Sequence, residues 1–374
     1  MWEQYYTDEK EPQIDLNSKR RFIFFTIFFL TLFGMLFVYE ASSIYAYSIK
    51  GDPSYFLKRQ FIFFIIGLFL FFFTLFLDLN FLRKYYKEFL LFTLFLLLLV
   101  LLFGRRIGGA KRWFNFGEFN FQPSEILKIS FLIYCVEYCN RKKTLLRTFK
   151  LGLLPLGIVL GILCLLLILQ PDLGTALFWV IWTFLFLFLY RARKSHLFVV
   201  GFITIIFIIF LVLFFPYRFR RIIAYVNPFA DPQSSGFQII QSQIAFCEGG
   251  LFGVGLGESK QKLFFLPAAH TDFIFSLIAE ELGLVGALFF IFVFFILFNA
   301  MVKIAKYVWG EFSKGVLLGI IIIFFLEIVI NIGVSCGFFP TKGMPLPFIS
   351  YGGSNLVIHY ILLGLFFNAS KNLM

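Results

Sequence analysis

Charge is scarce in this sequence. Asp, Glu, Lys and Arg make up only 14% of its 374 residues, whereas a soluble domain carries about a quarter. Histidine is scarcer still, with three residues, and the five cysteines (Cys135, Cys139, Cys164, Cys247 and Cys336) show no metal-ligand spacing. Cys135 and Cys139 sit four apart inside an apolar run, which suits small buried hydrophobes. No acidic cluster resembles a metal site. A zinc centre is therefore not expected and no cofactor is evident, although a divalent cation stays open. A cleavable signal peptide is also not expected: about twenty polar residues come first, then an apolar run too long for a signal and without a small-residue cleavage site. Short repeats, linkers and low-complexity segments are missing, so residues 1–374 read as one integral membrane domain behind a cytoplasmic tail, 1–20.

What is abundant is apolar. Hydrophobic residues make up 60% of the chain and phenylalanine alone supplies 60 residues, with a mean hydropathy of +0.89. That excludes a soluble globular domain. Runs of about 17–25 apolar residues can span a bilayer. About ten are present, at 21–39, 60–78, 88–104, 122–139, 150–170, 173–190, 195–216, 272–300, 315–337 and 349–367. Nothing alternates as a barrel strand would, so the fold class is all-α and polytopic. The net charge of +12 does not call for nucleic acid, because the basic residues cluster between apolar runs. Lys19, Arg20, Arg83, Lys84, Arg141, Lys142, Lys143, Lys303 and Lys306 all fall on the side of the termini. Positive-inside reasoning makes that side cytoplasmic.

Polar chemistry then concentrates in the opposite loops. Lys111 and Arg112 follow a diglycine, and Pro123-Ser124-Glu125 with Lys128 opens a span. Glu125 and Lys128 lie three apart and can pair, while Pro123 and Glu125 suit a helix start. Gln170-Pro171-Asp172 forms a tight turn of ordinary capping chemistry. The longest loop, 217–271, contains Arg218, Arg221, a glycine run from Gly249 to Gly257, Lys260 and His270. The glycines are no dinucleotide fingerprint, because no βαβ unit surrounds them. Asp272, Ser276 and Glu280 recur every fourth residue, which predicts one helix face. Asp272, Glu280 and Glu281 are acids at membrane depth, where a cavity or an ion pair is the usual reason. Pro340 to Phe348 is proline-rich, includes Lys342, and leads to Ser350-Tyr351-Gly352-Gly353. The diglycine permits close approach of a ligand or a neighbouring helix. Cations over a membrane suit a phosphorylated lipid headgroup, and a carboxylate among them suits a general base on a sugar hydroxyl.

At these loops the sequence resembles the SEDS family (shape, elongation, division and sporulation), typified by RodA, FtsW and SpoVE. The matching segments are Phe121-Gln122-Pro123-Ser124-Glu125, Gln170-Pro171-Asp172-Leu173-Gly174-Thr175, Asn227-Pro228 with Asp231-Pro232, Phe265-Leu266-Pro267, His270-Thr271-Asp272-Phe273, Glu280-Glu281-Leu282-Gly283, Pro345-Leu346-Pro347 and Ser350-Tyr351-Gly352-Gly353. They come in family order across most of the chain. Ser259-Lys260-Gln261-Lys262-Leu263 and Pro340-Thr341-Lys342-Gly343 look more like the division branch, FtsW, than the elongation branch, RodA. Glu40 and Ala268-Ala269 depart from the pattern.

The resemblance implies a ten-helix fold with both termini cytoplasmic. It also implies a peptidoglycan glycosyltransferase that polymerises lipid II on the outer face of the bacterial inner membrane. By carry-over Asp272 is the catalytic base. Lys111, Arg112, Arg218, Arg221, Lys260, Lys342 and Ser350 are the candidate substrate-binding set, with Glu125, Lys128, Asp172, His270, Glu280 and Glu281 in support. The implied partners are a class B penicillin-binding protein and regulators of the divisome or elongasome. Two other readings stay open, a lipid II flippase and a scaffold without activity.

Overall fold

Lipid offers the backbone no hydrogen bonds, so each long apolar run satisfies its own as a helix. The computed structural model describes residues 16–371 except 108, 118, 191, 203–205, 207–218, 220–222, 231, 233–235, 264 and 268. Its helices are α1 (Leu16–Lys50), α2 (Tyr55–Leu75), α3 (Leu79–Lys84), α4 (Tyr86–Phe103), α5 (Pro123–Arg141), α6 (Leu154–Leu169), α7 (Leu173–Leu189), α8 (Phe237–Gly249), α9 (Ile274–Lys306), α10 (Glu311–Ser335) and α11 (Gly353–Ala369). Among the described residues six helices are long and apolar enough to cross a membrane: α1, α2, α4, α6 with its preceding turn, α9 and α10. The apolar α7 and α11 are shorter. The chain is a multi-pass helical membrane protein. Most of the expected span 195–216 lies outside the described residues, as do Arg218 and Arg221.

α1 outruns the span expected at 21–39. It has 35 residues, roughly 50 Å at the usual rise, against about 30 Å of hydrocarbon. Hydropathy falls at Tyr39-Glu40, but no helix breaker arrives before Gly51-Asp52-Pro53, where Gly51 takes a positive φ of 70°. The extra turns carry Glu40 and Tyr45 beside the long loop, where Glu40 meets Lys262 at 3.2 Å.

α5 lies at the centre. Every residue from Leu127 to Cys139 is buried, as expected of a helix packed on all sides. Phe131 meets the fully buried Trp179 and Trp182 of α7 at 5.2 and 6.0 Å between ring centroids. Trp182 donates its indole N–H to the Gly319 carbonyl of α10 at 3.0 Å. α11 runs along α2, with Gly364 against Thr74 and Phe71. Small residues at such contacts let helices approach closely in membranes.

Between α4 and α5 the chain forms a three-stranded antiparallel sheet, β1 (Arg105–Ile107), β2 (Ala110–Phe116) and β3 (Phe119–Phe121). Only loop was expected here. The signal was present as alternating Phe and Asn around Gly117, whose φ is 67°, and Asn115 bonds Asn120 across the strands at 2.8 Å. A positive-φ glycine at the end of a strand is ordinary hairpin chemistry.

The glycine run of the long loop is explained by α9. That helix breaks at Gly283 (φ 69°, ψ −170°), and the loop enters the break. Val254 and Gly255 donate to the Glu280 and Glu281 carbonyls at 3.0 and 3.1 Å, while Leu284 and Val285 donate to Gly250 and Leu251 at 2.9 and 3.1 Å. The backbone groups freed by the break thus find partners in the loop, as they must when buried.

Candidate active site

Three successive carbonyls fix the His270-Thr271-Asp272 segment. The Tyr351 N–H donates to His270 O at 2.9 Å, Ser350 Oγ donates to Thr271 O at 2.5 Å, and Asn331 Nδ2 donates to Asp272 O at 2.9 Å. Asn331 also donates to Met344 O at 2.7 Å, and Ser350 accepts from the Leu346 N–H at 2.8 Å. α10 and the loop after it therefore hold the aspartate rigidly from behind. Ser350, expected to touch substrate, is a clamp on this backbone.

Asp272 lies in the wall of a cavity of about 380 Å³ at the end of the bundle bearing the sheet and the long loop. Arg59 of α2, Arg112 of β2 and Lys128 of α5 also line it, together with Glu125, Asp172 and Glu327. Gly343 faces the aspartate directly: a methyl group there would stand 2.6 Å from Asp272 Oδ2. That carboxylate can swing aside, so Gly343→Ala is expected to fold normally while the aspartate is displaced. Activity should fall roughly ten- to hundredfold with an unchanged melting temperature, as read by a steady-state assay and thermal unfolding of one preparation.

Arg112 reaches the cavity from the sheet and ties it to the turn before α7. It donates to Gln170 O at 3.1 Å and to Pro171 O, with Asp172 at 4.0 Å. Asp172 caps α7, accepting from Thr175 Oγ1 at 2.9 Å and from the Thr175 N–H at 3.3 Å, the expected role of an acid at that position.

At one side of the cavity five residues close a ring, four of its links between side chains and one through the Asn355 main-chain carbonyl. Lys128 Nζ contacts Glu125 Oε2 at 2.6 Å and Glu327 Oε1 at 2.5 Å. Glu327 Oε2 meets His359 Nε2 at 2.6 Å, His359 Nδ1 meets Asn355 O at 2.6 Å, and Asn355 Nδ2 returns to Glu125 at 3.1 Å. The Glu125–Lys128 pair is the one expected from local spacing.

The other expected residues lie elsewhere. Lys111 points to the carbonyls of Leu101 and Leu102 at 3.4 Å, and the exposed Lys260 pairs with Glu248 at 3.7 Å. Neither lines the cavity. Lys342 tucks its ammonium behind the wall, 5.5 Å from the Phe178 ring centroid, with no hydrogen-bond partner among the described residues. Burial pushes its amine down to about 7.

The helix face expected through Asp272, Ser276 and Glu280 does not form. α9 begins at Ile274, with Phe273 at its cap, so helical spacing does not start at Asp272. Ser276 bonds Ser242 at 2.6 Å. Glu280 instead anchors the long loop, accepting from Ser259 Oγ and from the Lys260 N–H at 2.8 Å. Glu281 faces Lys262 at 3.6 Å. Sequence reasoning missed Arg59, His359 and the role of Glu327 in the ring. The signal for Arg59 was a charge opening an apolar run.

His270 stacks among Tyr45, Phe56 and Tyr351, with centroids 5.9, 4.9 and 5.7 Å away. Burial pushes its imidazole down from 6.5 to about 4. The unfolded chain thus binds a proton between pH 6.5 and 4 that the folded chain refuses, and stability falls as pH drops through that window. Thermal unfolding between pH 7 and 4 should show this loss, and His270→Phe should flatten it.

A family model described as cell cycle protein, of the FtsW, RodA and SpoVE type, matches residues 20–374. The chain belongs to this family. Among relatives of the FtsW/RodA/SpoVE family, it is 43% identical over 346 residues to the "Probable peptidoglycan glycosyltransferase FtsW" of Trichlorobacter lovleyi, covering 92% of this chain and 91% of that one. It is 38% identical to the stage V sporulation protein E of Bacillus subtilis, covering 93% and 96%. A solved chain described under structural coordination of polymerization and crosslinking by a peptidoglycan synthase complex superposes with a TM-score of 0.77 at 27% identity, covering 94% of this chain and 97% of that one. The rod shape determining protein RodA of Thermus thermophilus gives 0.66 at 26% identity, covering 93% and 95%.

Proposed function

We propose that this family member is a peptidoglycan glycosyltransferase that polymerises lipid II, with Asp272 as general base. The observation that carries the reading is a carboxylate whose backbone is clamped at three points, in the wall of a cavity that also holds Arg59, Arg112 and Lys128. Asp272 takes the proton of the acceptor sugar's 4-hydroxyl as that oxygen attacks the donor's anomeric carbon. The bond to the lipid pyrophosphate breaks with inversion, and the leaving group departs with its charge. Cations in a partly dehydrated cavity offset that charge far better than water does. Arg112 and Lys128 are held by neighbouring groups before substrate arrives, so little reorganisation accompanies the reaction.

The protein works in the bacterial inner membrane with this cavity outside. Support comes from the charge pattern: Lys142 and Lys143 follow the far end of α5, Lys303 and Lys306 close α9, and Arg83 and Lys84 lie in α3 between the far end of α2 and α4. A class B penicillin-binding protein is the expected partner, with divisome regulators around it, in keeping with the likeness to a chain from a peptidoglycan synthase complex. The test uses purified protein in detergent, lipid II and the cognate transpeptidase. Polymerised glycan, resolved by gel, is the expected product; flipping of lipid II in vesicles without polymer would favour a transporter instead.

A further inference from the structure

His359 and Glu327 are buried, at 0% and 1% exposure, and the reaction above gives neither of them a task. Their geometry is specific. His359 Nδ1 lies 2.6 Å from the Asn355 carbonyl, which can only accept, so Nδ1 carries a hydrogen. His359 Nε2 lies 2.6 Å from Glu327 Oε2, a separation that requires a proton between nitrogen and oxygen. The imidazole packs against Phe324, tilted by 32°, and against Phe348, edge-on at 63°, each with its centroid 5.4 Å away. The other oxygen of Glu327 holds Lys128 at 2.5 Å.

We propose that Glu327 and His359 form a one-proton buried couple that positions Lys128 in the cavity wall and keeps the cluster around it electrically neutral. Glu125 balances Lys128, and the shared proton balances Glu327. His359 acts through Glu327 and touches no substrate; both are positioning residues. The charged groups around the couple are Lys128 and Glu125 of α5, with Lys342 of the loop after α10 behind the wall and Arg59 of α2 opening onto the same cavity.

The structure makes the couple separable by substitution. His359→Met removes the proton carrier and leaves Glu327 with one bare oxygen, adding an uncompensated negative charge to the cavity that holds Asp272. Glu327→Gln on that background removes the added charge, and its amide still accepts from Lys128. A nearby like charge raises the pKa of a carboxylate. The inference rests on Asp272 being the base, so two readouts are needed: the pH–rate profile of lipid II polymerisation, and thermal unfolding in detergent without substrate.

The expected result is that His359→Met lowers turnover tenfold or more, lowers the melting temperature, and moves the acid limb upward by roughly half a pH unit. The double variant should return the limb to its wild-type position and recover most of the turnover and stability. The proposal is overturned if His359→Met leaves the acid limb in place, or if the double variant is no better than the single. Should wild type polymerise nothing, the functional reading fails. The couple is then judged on unfolding alone, where a double variant no more stable than His359→Met overturns it.

Discussion

Gly253→Ala should yield no folded protein. Gly253 holds a positive φ of 82°, which already costs an L-residue about 1–2 kcal/mol. A methyl group would also lie 2.2 Å from Glu281 O and 2.7 Å from Gly283 N. Both are backbone atoms, and neither can step aside. The loop is pinned on each side of the site, before it by bonds from Leu284 and Val285 to Gly250 and Leu251 and after it by bonds from Val254 and Gly255 to Glu280 and Glu281, and Glu280 also carries Ser259 and Lys260. The combined penalty exceeds about 4 kcal/mol, the range in which single changes unfold marginal proteins. Gly51→Ala is the matched control: its φ is 70° with nothing within 4 Å of the added methyl, so only the backbone strain applies. Size-exclusion of detergent extracts should show the control as a monodisperse peak and Gly253→Ala as aggregate or nothing.

That prediction also marks how far the sequence could be read. Glycines from 249 to 257 stand out on inspection, but their purpose depends on a break at Gly283, whose partners are about thirty residues away. Local chemistry was legible wherever cause and partner lie within one turn. Pro123 opens α5, Glu125 pairs with Lys128 three residues on, and Asp172 caps its own helix. The diglycine at 352–353 allowed either a ligand or a helix to approach; a methyl group on Gly353 would strike Phe63 of α2 at 2.2 Å, so a helix lies there.

What was not legible is non-local. Glu327 and His359 are 32 positions apart, and each alone reads as an isolated polar residue in an apolar run. The Asp272 carbonyl is held by Asn331, 59 positions away. The cation set was over-read for a related reason. Lys111, Lys260 and Lys342 sit on the expected loops, but a loop's sequence does not say which way its side chains point. The sheet from Arg105 to Phe121 turns Arg112 toward the cavity, while Lys111 turns away from it.

Asp272→Asn tests the central claim most directly. The asparagine keeps the size of the side chain and the carbonyl that Asn331 holds, so the clamp and the fold should persist, with thermal unfolding unchanged. Only the capacity to take a proton is lost, and general base catalysis typically contributes about 10²–10⁴-fold. Lipid II polymerisation by the purified variant with its cognate transpeptidase should therefore fall by roughly a thousandfold. Polymer made at close to the wild-type rate by a folded Asp272→Asn protein would contradict the assignment of Asp272 as the base.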